Sequence, residues 1–122
     1  MPENAPNTVS WTLHLDVREG QLENARALMP EMVAGTQQEK GALGYEWFLS
    51  EDGKTCHLYE RYADSEAGLV HVGNFGTHFA ERFFGCFEPT SFCFYGEPSA
   101  ELKAALDGFG VAFFRWFGGF HR

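Results

Sequence analysis

Three residues of this 122-residue chain have the types and spacing for acid–base chemistry: Tyr45, Glu60 and His71. Glu60 and Tyr45 fall in a stretch, residues 42–62, that reads as a hairpin around Asp52-Gly53. A two-residue type I′ turn there sets the register, because such a turn needs positive φ at both positions. It places Leu49 opposite Cys56, Trp47 opposite Leu58, Tyr45 opposite Glu60 and Leu43 opposite Tyr62. This surface is the more apolar and is expected to meet helices, so Glu60 is expected to be buried. A buried carboxylate is costly unless hydrogen-bonded or paired. If His71 lies near, Glu60 can orient its imidazole and raise its basicity. A scaffold bond from Glu60 to the backbone or to the Tyr45 hydroxyl explains the same residue.

His71 belongs to a stripe at intervals of four: Ala67, His71, Phe75, Phe79 and Phe83. It is read either as a satisfied core histidine or as a base or hydrogen-bond partner for a phenol, whose phenolate yields an electron to oxygen more readily. Trp11, Tyr45, Trp47, Tyr62, Phe75 and Phe79 could wall a flat apolar pocket for an aromatic small molecule. Core packing would use them equally well. His71 and His78 could share a helix face, but no third ligand has a metal-site spacing. Nucleophile elbow, phosphate loop and dinucleotide fingerprint are all absent. The expectation is no metal and no cofactor.

The elements that must position these residues follow from periodicity. Val9 to Val17 alternates, with Val9, Trp11, Leu13, Leu15 and Val17 on one face, as a half-buried strand does. From about Gly20 to Gln38 apolar residues recur every three or four positions, and Pro30 predicts a kink or two shorter helices. A second helical region spans about Asp64 to Gly85, capped by Asp64 or Ser65, with a break expected near Asn74 between Gly73 and Gly76. A strand is expected from about Ser91 to Glu97, then a short helix capped by Ser99 and a last strand from about Val111 to Phe117. The order β-α-β-β-α-β is the split βαβ of ferredoxin-like α+β folds, here followed by a helix and a strand. In that fold helices cover one sheet face. The other face would carry Phe48, His57 and Tyr59, costly to leave in water, so a homodimer across it is expected.

Composition narrows the function classes. A length of 122 residues suits one domain. With 44% hydrophobic and 21% charged residues the chain can build a globular core. A net charge of −8 without a basic patch argues against nucleic acid and against anionic membranes. No stretch approaches the ~18 apolar residues of a membrane span. Three cysteines, with no CxxC pair, argue against a disulfide framework and suit a reducing cytoplasm. The polar first residues, with two prolines, read as a loose lead-in without a signal peptide.

Residues 41–72, GALGYEWFLSEDGKTCHLYERYADSEAGLVHV, resemble the antibiotic biosynthesis monooxygenase superfamily. The matching features are Gly41, Gly44 and Tyr45 at the entry to the second strand, Glu60 and Tyr62 in the third, and His71 nine residues later. The resemblance covers about residues 9–97, taken as the core of a single domain over residues 1–122. Residues 98–122 look like a C-terminal helix–strand extension. It implies a dimeric α+β barrel. It also implies a cofactor-independent monooxygenase that oxidises an electron-rich phenol or quinol with molecular oxygen, with His71, Glu60 and Tyr45 as catalytic candidates. A non-catalytic small-molecule-binding or interaction module on the same fold is the alternative. The haem-cleaving branch carries an Asn in the first strand and a Trp in the third. Here the first strand offers His14 and the Trp position holds Tyr62, and both departures count against haem cleavage.

Overall fold

A computed structural model describes residues 5–122; the first four residues of the lead-in lie outside the described residues. Strand β1 (Val9–Val17) is central, antiparallel to β3 (Thr55–Tyr62) on one side and to β4 (Phe87–Tyr95) on the other. Strand β2 (Ala42–Leu49) flanks β3, and β5 (Ala112–Phe114) runs parallel to β4, giving the order β2-β3-β1-β4-β5. With helices α1 (Leu22–Gln37), α2 (Ser65–His78), α3 (Ala80–Cys86) and α4 (Ala100–Ala105), this is a ferredoxin-like α+β fold. Among the described residues, no helix is long and apolar enough to cross a membrane.

The alternation of β1 sends Val9, Trp11 and Leu15 into the core, where they are almost fully buried. Two buried clusters sit side by side under the helices. One joins Leu15, Leu28, Met32, Leu58 and Phe83; the other joins Val9, Trp11, Tyr62, Phe94 and Leu102. Leu13 packs against both, and the space between the clusters is where the site lies. Asp64 caps α2 by accepting a bond from the Ala67 N–H at 2.8 Å. Small residues bring that helix close to its neighbours. A Cβ on Gly68 would lie 3.2 Å from Leu102 and 3.5 Å from the Trp11 ring, and one on Gly41 would collide with the Ala67 Cβ. This close seating lets the α2 side chain at position 71 reach β3.

The hairpin register matches expectation from Leu49↔Cys56 to Gly44↔Arg61, Tyr45↔Glu60 included. The turn does not. Asp52 has no positive φ and Gly53 does (+73°), so the loop is not type I′. Ser50 and Thr55 instead close a four-residue loop, the Ser50 N–H donating to the Thr55 carbonyl at 2.8 Å. The loop length is still even about the same centre, so the register is unchanged. A bulge between Ala42 and Gly44 puts Ala42, not Leu43, opposite Tyr62 and leaves Leu43 exposed.

Other expectations shift. Helix α1 runs unbroken through Pro30, whose exposed position leaves the freed Arg26 carbonyl on the solvent side. The second helical region breaks at Phe79, not near Asn74. Packing decides this: the Phe79 ring lies 3.3 Å from where a Gly35 Cβ would stand, whereas Gly73 and Gly76 face open space. Strand β4 begins at Phe87, ahead of the expected Ser91, and β5 is only three residues long. The uncovered face carries Phe48, 54% exposed, Tyr95 and Phe114, with His14 and His57 stacked 3.7 Å apart.

Two glycine substitutions should act in opposite directions. Gly41→Ala meets the unyielding Ala67 Cβ and is expected to cost about 1–3 kcal/mol. Gly73→Ala, exposed within α2, is expected to gain about 0.5–1 kcal/mol. Thermal or denaturant unfolding measures both; equal effects would contradict the close seating of α2.

Candidate functional site

The His71 imidazole sits between two carboxylates. Its Nδ1 lies 3.1 Å from Glu39 Oε1 and 3.3 Å from Oε2, and its Nε2 lies 3.1 Å from Glu60 Oε1. All three side chains are less than a tenth exposed. The Tyr62 hydroxyl donates to the same Glu60 Oε1 at 2.7 Å. The Asn74 amide donates to Glu39 Oε2 at 3.2 Å. Three elements therefore supply one charged cluster: the α1–β2 connection gives Glu39, β3 gives Glu60 and Tyr62, and α2 gives His71 and Asn74.

Aromatic rings surround it. Ring centroids of Tyr62 and Tyr45 lie 5.0 and 5.4 Å from His71, and Trp11 packs tilted against Tyr62 with centroids 4.7 Å apart. Burial alone pushes the His71 imidazole down. The hydrogen bonds and charges of Glu39 and Glu60 outweigh that and carry it up to about 9. Burial, then the Glu60 charge, push both tyrosine hydroxyls well above their usual range. The shifts run toward a protonated ring and protonated phenols. Burial likewise pushes Cys56 up to about 11, so this thiol is not a ready nucleophile.

A cavity of about 90 Å³ opens beside the cluster, between sheet and helices. Glu60, His71 and Tyr45 line it, and its remaining walls are apolar, among them Trp11, Leu13, Phe75 and Phe92. The Tyr62 hydroxyl and His71 Nε2 both approach Glu60 at Oε1, and Oε2 accepts no hydrogen bond among the described residues. The Tyr45 hydroxyl is buried with no hydrogen-bond partner among the described residues. An unpaired buried hydroxyl costs about 1–3 kcal/mol. Its nearest polar neighbours are the side chains of Trp47 and Thr36, which approach it without closing a well-formed hydrogen bond.

Tyr45, Glu60 and His71 thus share one layer, with Trp11 and Phe75. The other three expected wall residues are elsewhere. Tyr62 lies behind the cavity and binds Glu60. Trp47 packs on Phe83 and Phe87 in the core, its indole N–H without a hydrogen bond among the described residues. Phe79, at the α2–α3 break, packs against Gly35. The stripe spacing assumed one straight helix, and the break turns Phe79 out of line. Glu39 was not among the sequence candidates, because a residue in a helix–strand connection has no periodicity to assign its direction. Among the described residues, no group of three His, Cys, Asp or Glu side chains is arranged to hold a metal ion.

The family model described as antibiotic biosynthesis monooxygenase matches residues 9–82. No curated protein matches the sequence. Among solved structures, the chain is similar to MupZ from Pseudomonas fluorescens, with 22% identity and a TM-score of 0.87 over 100% of this chain and 94% of MupZ. It is similar to SnoaB from Streptomyces nogalater, described as a cofactor-independent oxygenase, with 11% identity and a TM-score of 0.64 over 77% of this chain and 96% of SnoaB. Rv0793 from Mycobacterium tuberculosis gives 23% identity and 0.60 over 75% of this chain and 96% of Rv0793. At these identities the likeness is one of fold.

Replacing each tyrosine by phenylalanine separates the two hydroxyls. Tyr62→Phe removes a buried bond to a carboxylate and should cost about 1.5–3 kcal/mol. Tyr45→Phe removes an unpartnered hydroxyl and should leave the unfolding midpoint unchanged or higher. A large loss from Tyr45→Phe would show that its hydroxyl serves the fold through Trp47 or Thr36.

Proposed function

The chain belongs to the antibiotic biosynthesis monooxygenase family, and from that premise we propose that it oxidises an electron-rich phenol or quinol with molecular oxygen and no cofactor. The observation that supports this reading best is the charged Glu60–His71 pair facing an otherwise apolar cavity beside the unpartnered Tyr45 hydroxyl. The substrate ring rests on Trp11 and Phe75. Its hydroxyl donates to Glu60 Oε2, and the proton passes to that carboxylate. His71, with both nitrogens directed at carboxylates, does not suit the role of base suggested by its residue type. It serves as the cation beside the phenolate, while Tyr45 donates to the phenolate oxygen. The phenolate gives one electron to oxygen; the phenoxyl radical and superoxide join through a ring C–O bond, and the peroxide takes the proton back from Glu60 to become a hydroperoxide on a carbon that still bears its hydrogen. Loss of water leaves a quinone, which accounts for both oxygen atoms.

The alternative, a non-catalytic binding module, draws support from size. A cavity of about 90 Å³ is smaller than the ~150 Å³ void that accepts benzene. Even a single ring would extend past this space, toward Phe84 and Phe109, the exposed residues of the lining.

Oxygen uptake with a naphthohydroquinone, after chelator treatment, distinguishes the two readings. Wild-type protein should consume oxygen well above the autoxidation rate, and Glu60→Gln or His71→Ala should lower turnover by ~10²-fold or more. Uptake at the autoxidation rate alone would favour the binding module. Turnover unchanged by either substitution would remove the pair from the mechanism.

The same premise extends to assembly, as family members are typically dimeric. We infer a homodimer through the face bearing Phe48, His57 and Tyr59, burying at least ~1,200 Å². Tyr59→Asp should split it by placing an unpaired charge at the seam. A monomeric mass for the wild type at micromolar concentration would contradict the assignment.

A further inference from the structure

His71 joins two spaces through its two nitrogens. Glu60 and His71 line the cavity, whereas Glu39 and Asn74 line a separate groove on the outer side, between the C-terminal end of α1 and α2. Glu39 does not line the cavity. It touches His71 at the nitrogen facing away from any substrate.

Hydrogen-bond chemistry limits what the cluster can be. A carboxylate and a bare imidazole nitrogen are both acceptors and cannot bond. The Nδ1 hydrogen bond to Glu39 and the 3.1 Å approach of Nε2 to Glu60 therefore fit a proton at each nitrogen: a doubly protonated ring with two carboxylates, or a neutral ring with one protonated carboxyl. The surroundings favour the first. The groups facing His71 are Glu39 from the α1–β2 connection, Glu60 from β3, and the rings of Trp11, Tyr45 and Tyr62. Among the described residues no Lys or Arg pairs with Glu39 or Glu60, although Lys40 lines the outer groove beside Glu39, so the imidazolium is the positive charge in contact with both carboxylates. Tyr62 donates to Glu60 and Asn74 donates to Glu39, bonds that suit ionised acceptors.

We propose that Glu39 is a positioning residue for His71: it fixes the ring from the rear as an imidazolium, so that Nε2–H points at Glu60 and the cation stands beside the cavity. Asn74 in turn orients Glu39. The inference deepens the reading above and rests on it for its consequence, a cation available to an anionic intermediate. A buried ring that lost Glu39 would be held by Glu60 alone. It would revert toward neutrality, and Nε2 would be free to take either tautomeric role.

The test is a ¹⁵N–¹H NMR titration of the histidine rings, with the His71 signals assigned by their loss in His71→Asn. In wild-type protein His71 should show two protonated ring nitrogens at pH 7.5. In Glu39→Gln, which keeps the shape and removes the charge, its midpoint should fall by about one pH unit or more, the effect of losing a carboxylate at contact distance. Asn74→Ala should shift it in the same direction by less. A neutral His71 at pH 7.5 in the wild type overturns the proposal, and that arm needs no variant to fold. A Glu39→Gln protein with a lower unfolding midpoint but an unmoved His71 titration also overturns it, since Glu39 would then serve the fold alone. No substrate enters the experiment, so an absence of oxygenase activity leaves its outcome separate.

Discussion

The structure turns on one buried interaction, an imidazole held between two carboxylates. Taking an isolated ion out of water costs several kcal/mol, and a carboxylate pair without its cation would be worse. The cluster is tolerable because every charge has a partner. His71 serves both glutamates, Tyr62 closes Glu60, and Asn74 closes Glu39. Much of the fold serves this arrangement. Gly41 and Gly68 seat α2 near the sheet, the hairpin register turns Glu60 inward, and the end of α1 delivers Glu39.

The same constraint explains why the cavity lies where it does. The two hydrophobic clusters beneath the helices do not merge into one, and the charged group stands at their junction. Apolar walls raise the strength of the nearby charges, because little water is present to screen them. A small apolar space bordered by an anion, a cation and an unpaired phenol is poorly explained by stability. Filling it with aliphatic side chains would stabilise the fold more. Stability forgone in this way is the usual mark of a binding or reacting centre.

Much of this was legible in the sequence, and the failures have physical causes. Period-two alternation made β1 and the hairpin readable, and placed Tyr45 beside Glu60. The register survived a wrong turn type because it depends on the centre and length of the loop, not on the φ of Asp52. Tertiary packing was not legible. Phe79 breaks the second helical region through its contact with Gly35, far away in sequence, while the helix-weakening glycines lie in open space and change nothing. The aromatic wall was half right for the same reason: face can be read from periodicity, but depth cannot. Tyr62 and Trp47 lie on the correct sheet face and still stand outside the cavity. Glu39 carried no periodic signal at all.

The proposed chemistry begins when a bound phenol passes its proton to Glu60. The most direct measurement is the absorption spectrum of 4-nitrophenol, whose anion and neutral forms absorb at different wavelengths, titrated with the protein at a pH where the free phenol is neutral. The account predicts that the bound phenol shows the anion spectrum, and that Glu60→Gln protein, lacking the acceptor, binds it neutral or not at all. A phenol bound by wild-type protein in its neutral form, or one whose ionisation is the same in the Glu60→Gln variant, would contradict it.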